Sequence, residues 1–412
     1  MARHFAIVGS GPAGIYAAER LARIAPDDLI DVIDRLPVPF GLVRHGVAAD
    51  HQSTKAVTRV LGRALGRDNV SFVGNVMVGR DVTLADLRQW YDAVILATGA
   101  PRDRRLGISG EDLTGVHGSG AFVGWLNGHP DQTGLAIDLH GVTDVVVVGV
   151  GNVALDVARI FAKSPTELAA ADLAPDVAEA LAALTLKSIT LLGRRGAEDA
   201  KFTALELSEM GDLERARPVV AQAALPPACD DEAKPLSILR GFSSAQRDDQ
   251  PLGVHFLFHT RPLAFEGSDR LTGVRVVTAG GAKSVLPAQL AITCIGYDSV
   301  TCGDLEPASG VFANQDGKVE DGLYVVGWAK RGPSGTIPTN RAESHEVANR
   351  VAAETEAAGR PGAAGLIEQV GDRIVDLDGW GRIDAAETAR ATGDRPRHKF
   401  TTIDEMVAAA RP

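Results

Sequence analysis

Two copies of one pattern, each a short apolar strand, a glycine-rich turn and an amphipathic helix, predict an α/β fold built from two Rossmann-like units. Strands that read as exits from one unit flank the second copy. The second unit is therefore expected as an insertion, which leaves the first discontinuous. The expected boundaries are 1–107 and 298–412 for the split unit and 108–297 for the inserted one.

The first copy starts at the beginning of the sequence. His4 to Val8 is a short buried strand, followed by Gly9-Ser10-Gly11-Pro12-Ala13-Gly14, a G-x-G-x-x-G. Ile15, Ala18, Leu21, Ala22 and Ala25 then repeat at helical spacing up to Pro26-Asp27. A second strand, Leu29 to Ile33, closes on Asp34, 25 residues after Gly9. In such a turn Gly9 allows the sharp bend and Gly11 lets the backbone approach a pyrophosphate. Gly14 lets helix and strand pack closely, and the acid accepts from ribose hydroxyls.

The second copy lies mid-chain. Asp144 to Val148 is a continuous apolar strand of the parallel-sheet kind. Gly149-Val150-Gly151-Asn152-Val153-Ala154 gives G-x-G-x-x-A, and a helix runs through Leu155 and Phe161 to Ser164-Pro165. A helical stretch is expected from Thr166 to Leu186, then a strand from Ser188 to Gly193. Where an acid would read a free 2′-hydroxyl, this chain has Arg194 and Arg195. Paired guanidiniums bind a 2′-phosphate, so this site is expected to prefer NADP over NAD. One site with an acid and one with arginines imply a flavin in the first and NADPH in the second.

Tyr91 to Leu96, running into Ala97-Thr98-Gly99-Ala100, and Leu290 to Cys294, running into Ile295-Gly296-Tyr297, read as the strands that join the units. Residues 226–261 are expected to be loops and edge strands. Leu323 to Trp328 is a further strand, entering a glycine-rich loop up to Ile337, with a helix expected from about Asn340 to Ala358.

Composition narrows the function. Apolar residues make up 45% and charged residues 23%, ordinary for a globular chain of 412 residues. Forty-two basic residues against 53 acidic ones give a net charge of −11, which argues against nucleic-acid binding. No apolar run reaches the ~18 residues of a membrane span, and no signal peptide is read, so a cytoplasmic location is expected. The three cysteines, Cys229, Cys294 and Cys302, form no CxxC, which disfavours a dithiol pair, a zinc ribbon or an iron–sulfur cluster in this chain. His255 and His259 fall in a strand-like stretch and would not face one ion; no metal is expected. Glycine is 45 of 412, an excess that points to local backbone work.

Beyond these readings, the chain resembles the adrenodoxin-reductase-like ferredoxin–NADP reductases, including mycobacterial members. The matching segments are GSGPAG, LPVPFGLVRHGVAADH, VGVGNVALDVAR, LLGRRG with FTALELSEM, and YVVGWAKRGPSGTIPTN, in the family's order along nearly the whole chain. The tail around Gly379-Trp380 and Ile383-Asp384 is also similar to that of longer members. The resemblance implies non-covalent FAD, NADPH and an iron–sulfur ferredoxin partner, itself able to supply haem monooxygenases. It implies FAD contacts at Ala13, Asp34, Leu42, Val78, Trp328 and Gly335, Thr336 and Ile337. NADP contacts are implied at Arg104, Asn152, Val153, Ala154, Leu155, Arg194, Arg195, Glu206 and Gly335. His51 and Asp156 match positions near the flavin–nicotinamide junction, with a role in proton handling.

The chain departs from the family pattern in places. Asp34 replaces the usual Glu, and GAEDAKFT after Arg195 replaces the more apolar GPLQAAFT, placing Glu198 and Asp199 near the phosphate site. Thr336 and Pro338 stand where Val and Gly are usual. The expected reaction is hydride transfer from NADPH to flavin, then single electrons to a ferredoxin. Alternatives are an NADPH-dependent flavin oxidoreductase with a small-molecule acceptor and a slow redox-sensing flavoprotein. An acidic ferredoxin requires a local basic face, for which Arg215, Arg217 and Arg240 are candidates.

Overall fold

The computed structural model describes residues 1–135, 137–229, 231–245 and 250–412. Its first sheet has six strands, in the spatial order Lys318–Glu320, Leu323–Val325, Ala93–Leu96, His4–Val8, Leu29–Ile33 and Val70–Val73. All neighbours are parallel except the edge strand Lys318–Glu320. The second sheet is wholly parallel, in the order Val116–Gly118, Leu290–Thr293, Asp144–Val148, Ser188–Leu192, Leu252–Leu257 and Ala216–Val220. Both faces of these sheets are covered, so their central strands read as unbroken apolar runs rather than alternating ones. Val145 and Val147 are fully buried, and each such side chain stabilises the fold by roughly 1.5–3 kcal/mol.

In each sheet the fingerprint strand lies inside, with the next strand in sequence on one side and a later one on the other. The chain reverses its winding direction there, and the crevice outside the carboxyl ends of these strands is where α/β sheets bind ligands. The helix Pro12–Ile24 leaves the first turn and Asn152–Ala162 leaves the second. Between the sheets the chain crosses twice, and the crossings pair antiparallel as Arg102–Asp103 with Tyr297–Asp298.

Several expectations need correction. Residues 226–261 include the helix Lys234–Ser244, and Leu252–Leu257 is an internal parallel strand rather than an edge; 230 and 246–249 lie outside the described residues. Of 166–186, only Pro175–Ala182 is α-helix, started by Pro175 in its first turn. The late helix spans Ile337–Glu354, beginning earlier than expected because Thr336 caps it and Pro338 fits its first turn. Trp328 is no strand residue: the strand stops at Val325 and Trp328–Arg331 is a single helical turn. An antiparallel sheet, Thr260–Gly267, Leu271–Thr278 and Lys283–Pro287, packs Phe265, Val274 and Val276 onto the back of Val146, Val148 and Ala291.

The tail folds back between the two sheets. Its helix Leu377–Ala389 carries Glu387, which accepts from Arg44 at 2.6 and 2.8 Å, both side chains being buried. Lys399 reaches Asp172 of the inserted unit at 2.6 Å, and Lys55 reaches the same carboxylate at 2.8 Å. Burial alone would raise the Asp172 carboxyl, but the two ammonium groups hold it down at about 2.

Candidate functional site

Each turn is shaped by its first glycine. Gly9 has φ +114°, and a Cβ there would come within 2.4 Å of the Ala97 carbonyl oxygen. Gly149 repeats this with φ +141° and 2.4 Å to the Cys294 carbonyl oxygen. Gly11 differs, since a Cβ would meet nothing within 4 Å, which leaves the approach to that backbone open for a ligand. Gly14 holds helix against turn, with 2.0 Å to the Gly9 carbonyl oxygen. Neither following helix has an acid in its first turn or a side-chain cap, so their leading N–H groups remain available to a phosphate. Both turns thus fit a dinucleotide.

Asp34 follows its strand as expected, yet its carboxylate is already engaged. Oδ2 accepts from the Ser10 N–H at 2.8 Å and the Ser10 hydroxyl at 2.6 Å, and Oδ1 accepts from the Leu36 N–H at 2.9 Å. A carboxylate offers about four lone-pair positions, so it retains about one for a ribose hydroxyl. Ala13 is packed against Gly327, where an added Cβ would lie 2.6 Å from its methyl group. Val78 is buried, whereas Leu42 is 47% exposed, an apolar side chain left uncovered beside the Ser10–Gly11 turn through Gly41. The Trp328 indole stacks on Tyr297 with centroids 5.9 Å apart at 13°, and its N–H donates to the Ser334 carbonyl at 3.1 Å. Gly335 takes φ +81° just before the Thr336 cap, and Ile337 opens the helix.

In the inserted unit, Ala154 and Leu155 are fully buried, and the Leu155 N–H already donates to the Gly151 carbonyl at 3.1 Å, so the side chains expected at a nucleotide are packed into the core instead. Val153 is half-buried, and the Asn152 side chain accepts from the Thr203 N–H at 2.8 Å. Arg194 and Arg195 are both exposed at the end of Ser188–Leu192; Arg195 lies 3.3 Å from Asp199. Arg104 sits at the chain crossing, where its Nε donates to Asp298 at 2.8 Å.

Between the units lies a cluster of charge. His51 Nε2 is 2.9 Å from Glu209 and 3.7 Å from Glu206, and Nδ1 is 4.0 Å from Asp156. Beneath them Arg159, with no exposed surface, contacts Asp50, Asp156, Glu206 and Glu209 at 2.7 to 3.4 Å. Asp156 Oδ1 forms a close ion pair with Arg159 but no well-directed hydrogen bond. Burial pushes the Asp156 carboxyl up to about 6; Arg159 opposes that rise and Glu206 adds to it. Burial would also raise Asp50, but Arg159 and Lys163 override it and hold Asp50 well below the usual range. His51, Asp156 and Glu206 bring possible ligand atoms within 4.8 Å of one another, and the Arg159 guanidinium already fills the cationic position among them.

So His51, Asp156 and Glu206, distant in sequence, come together. The reading of the sequence missed Asp50, Arg159 and Glu209. Arg159 gave one signal, a cation three residues after Asp156 on the apolar side of a buried helix. The arginines considered for a basic face are engaged locally. Arg215 donates to the Phe161 and Ala162 carbonyls at a helix end, Arg217 to the Gln250 carbonyl, and Arg240 is paired with Glu232.

The pyridine nucleotide-disulphide oxidoreductase family matches residues 3–190. A mitochondrial NADPH:adrenodoxin oxidoreductase from Arabidopsis thaliana is 35% identical over 99% of this chain and 95% of its own length. The chain belongs to the adrenodoxin-reductase-like ferredoxin–NADP reductases. Another reductase of this kind, the NADPH-ferredoxin reductase FprA of Mycobacterium leprae, is 35% identical over 98% of this chain and 97% of its own. The structure of Mycobacterium tuberculosis FprA in complex with NADPH superposes with a TM-score of 0.93 at 33% identity, covering 100% of both chains. Among the described residues no helix is long and apolar enough to cross a membrane.

Proposed function

We propose that this reductase passes electrons from NADPH through FAD to a small iron–sulfur ferredoxin. One observation carries the reading: His51, from the flavin unit, meets Glu209, Glu206 and Asp156 of the inserted unit, so the two nucleotide sites open onto one junction. Residues 1–107 and 298–412 form the flavin unit and 108–297 the NADP unit.

The Gly9 to Gly14 turn and the Pro12–Ile24 helix hold the FAD pyrophosphate, and Asp34 holds its ribose. FAD held by these residues would supply the chemistry that turns a two-electron donor, NADPH, into a source of single electrons. Arg194 and Arg195 bind the 2′-phosphate of the substrate, and the leading backbone N–H groups of the Asn152–Ala162 helix take its pyrophosphate. Leu42, Trp328 and Gly335 to Ile337 contact FAD, Leu42 through its exposed apolar side chain. His51 and Asp156 line the junction, where burial pushes the Asp156 carboxyl up to about 6 and suits it to pass a proton. The partner ferredoxin supplies haem monooxygenases. The free cysteines suit a reducing cytoplasm.

Anaerobic stopped-flow reduction tests this. NADPH should bleach the flavin rapidly, and cytochrome c reduction should depend on added ferredoxin and weaken with salt. Slow bleaching without ferredoxin dependence would refute the reading.

A further inference from the structure

We infer that Glu198 and Asp199 weaken the preference for NADPH over NADH set by Arg194 and Arg195, while Lys201 binds the pyrophosphate common to both nucleotides. The inference rests on the reading above, which places the 2′-phosphate on the two arginines.

The four charged side chains stand on one short turn. Asp199 lies 3.3 Å from Arg195, and both side chains are about half exposed. Glu198 folds back over Gly196, its two carboxylate oxygens each 2.3 Å from where a Cβ of Gly196 would be. It therefore lies over the backbone directly after Arg195. Arg194 has no carboxylate partner among the described residues. Two guanidiniums and two carboxylates leave the site with little net charge. A 2′-phosphate must draw Arg195 away from Asp199 and sit near Glu198. A nucleotide without that phosphate meets neither obstacle. An exposed pair of this kind shifts an equilibrium by about fivefold at most, so the carboxylates tune the preference and do not abolish it.

Two residues further on the charge changes sign. The Lys201 N–H donates to the Val150 carbonyl at 2.9 Å, and its backbone bridges Gly151, the residue that caps the Asn152–Ala162 helix. The Lys201 Cβ is 3.9 Å from the position a Gly151 Cβ would take. Its exposed side chain thus starts beside the leading N–H groups of that helix, where a flexible ammonium reaches a pyrophosphate as a point charge. The pyrophosphate is shared, so Lys201 adds affinity without discrimination.

The test is equilibrium titration of the FAD-loaded oxidised protein with NADP+ and NAD+, followed by calorimetry and by flavin difference spectra. The E198Q/D199N double variant should raise the affinity ratio of NADP+ over NAD+ by roughly two- to fivefold at low salt, with a smaller gain at high salt. K201Q should weaken both nucleotides by a similar factor, about two- to tenfold. An unchanged ratio in E198Q/D199N, or an effect of K201Q on NADP+ alone, overturns the inference. The R194A/R195A variant separates this from failure of the underlying reading. If it leaves the ratio unchanged, the phosphate site itself lies elsewhere.

Discussion

Arg159 donates to both carboxylate oxygens of Asp50, at 2.8 and 3.0 Å, and so ties the helix that follows the second glycine-rich turn to the segment that carries His51. The same guanidinium faces Asp156, Glu206 and Glu209. Removing it leaves Asp156, Glu206 and Glu209 without that cation and Asp50 with Lys163 alone. Arg159→Met should destabilise the protein by about 3–5 kcal/mol in urea unfolding, and Arg159→Lys should recover only part, since a lysine cannot fork. A loss below about 1 kcal/mol for the methionine variant would show that the network is not structural.

Asp156 gives a pH dependence with a definite sign. Its folded pKa, about 6, lies above the unfolded value of 3.8. The folded state therefore disfavours the ionised form, a cost fully present above about pH 6 that fades as pH falls through 3.8. Asp156→Asn removes the cost. It should raise stability at pH 8 by on the order of 1 kcal/mol, and by about half as much at pH 5. Melting curves at the two pH values check this; an equal gain at both contradicts the assignment.

The glycines of the first turn should separate folding from cofactor binding. Gly9→Ala drives a methyl group into the Ala97 carbonyl at a positive φ and should lower the melting temperature and the yield. Gly11→Ala meets open space, so the chain should fold while its FAD content falls. The ratio of flavin absorbance to protein absorbance reads the second effect and thermal melting the first.

The two arginines of the phosphate site should not be equivalent. Arg195 is partly drawn to Asp199, whereas Arg194 is open. Arg194→Ala should raise the NADPH Michaelis constant roughly ten- to hundredfold, and Arg195→Ala by less, with small effects on NADH in both. Equal effects on the two nucleotides would place the 2′-phosphate elsewhere.

Lys55 and Lys399 share Asp172, all three being buried. Asp172→Asn leaves two buried ammonium groups facing each other and should cost about 3–5 kcal/mol. Lys399→Met leaves the Lys55–Asp172 pair in place and should cost less. Denaturant titration of the two variants gives the order, and a reversed order would refute the shared-carboxylate account.

The turns were legible because each demands a residue type locally. Gly9 and Gly149 adopt a backbone conformation that other residues rarely take, and both stand directly after an apolar strand. Arg194 and Arg195 were legible for the same reason, at a fixed distance along a strand–helix–strand unit. The helix Lys234–Ser244 was hidden: it has no side-chain cap, it contains the poor helix former Gly241, and of its residues only Leu239 is buried. Its stability comes from packing that local spacing does not announce. The start of Ile337–Glu354 was misplaced because Pro338 reads as a break when it is in fact a first-turn residue.

Sequence alone determined the two glycine-rich turns between strand and helix, the acid that follows the first and the arginines that follow the second. These follow from backbone sterics and from charge at fixed short spacings. Only the tertiary structure decided what stands at the junction. His51 and Glu209 are separated by 158 positions yet lie 2.9 Å apart, and Glu387 reaches Arg44 across 343. Tertiary structure also showed that Asp34 is held by Ser10 and that Arg195 has a carboxylate beside it. Such pairings depend on how two sheets and a returning tail pack together, and no spacing along the chain encodes a contact made by packing.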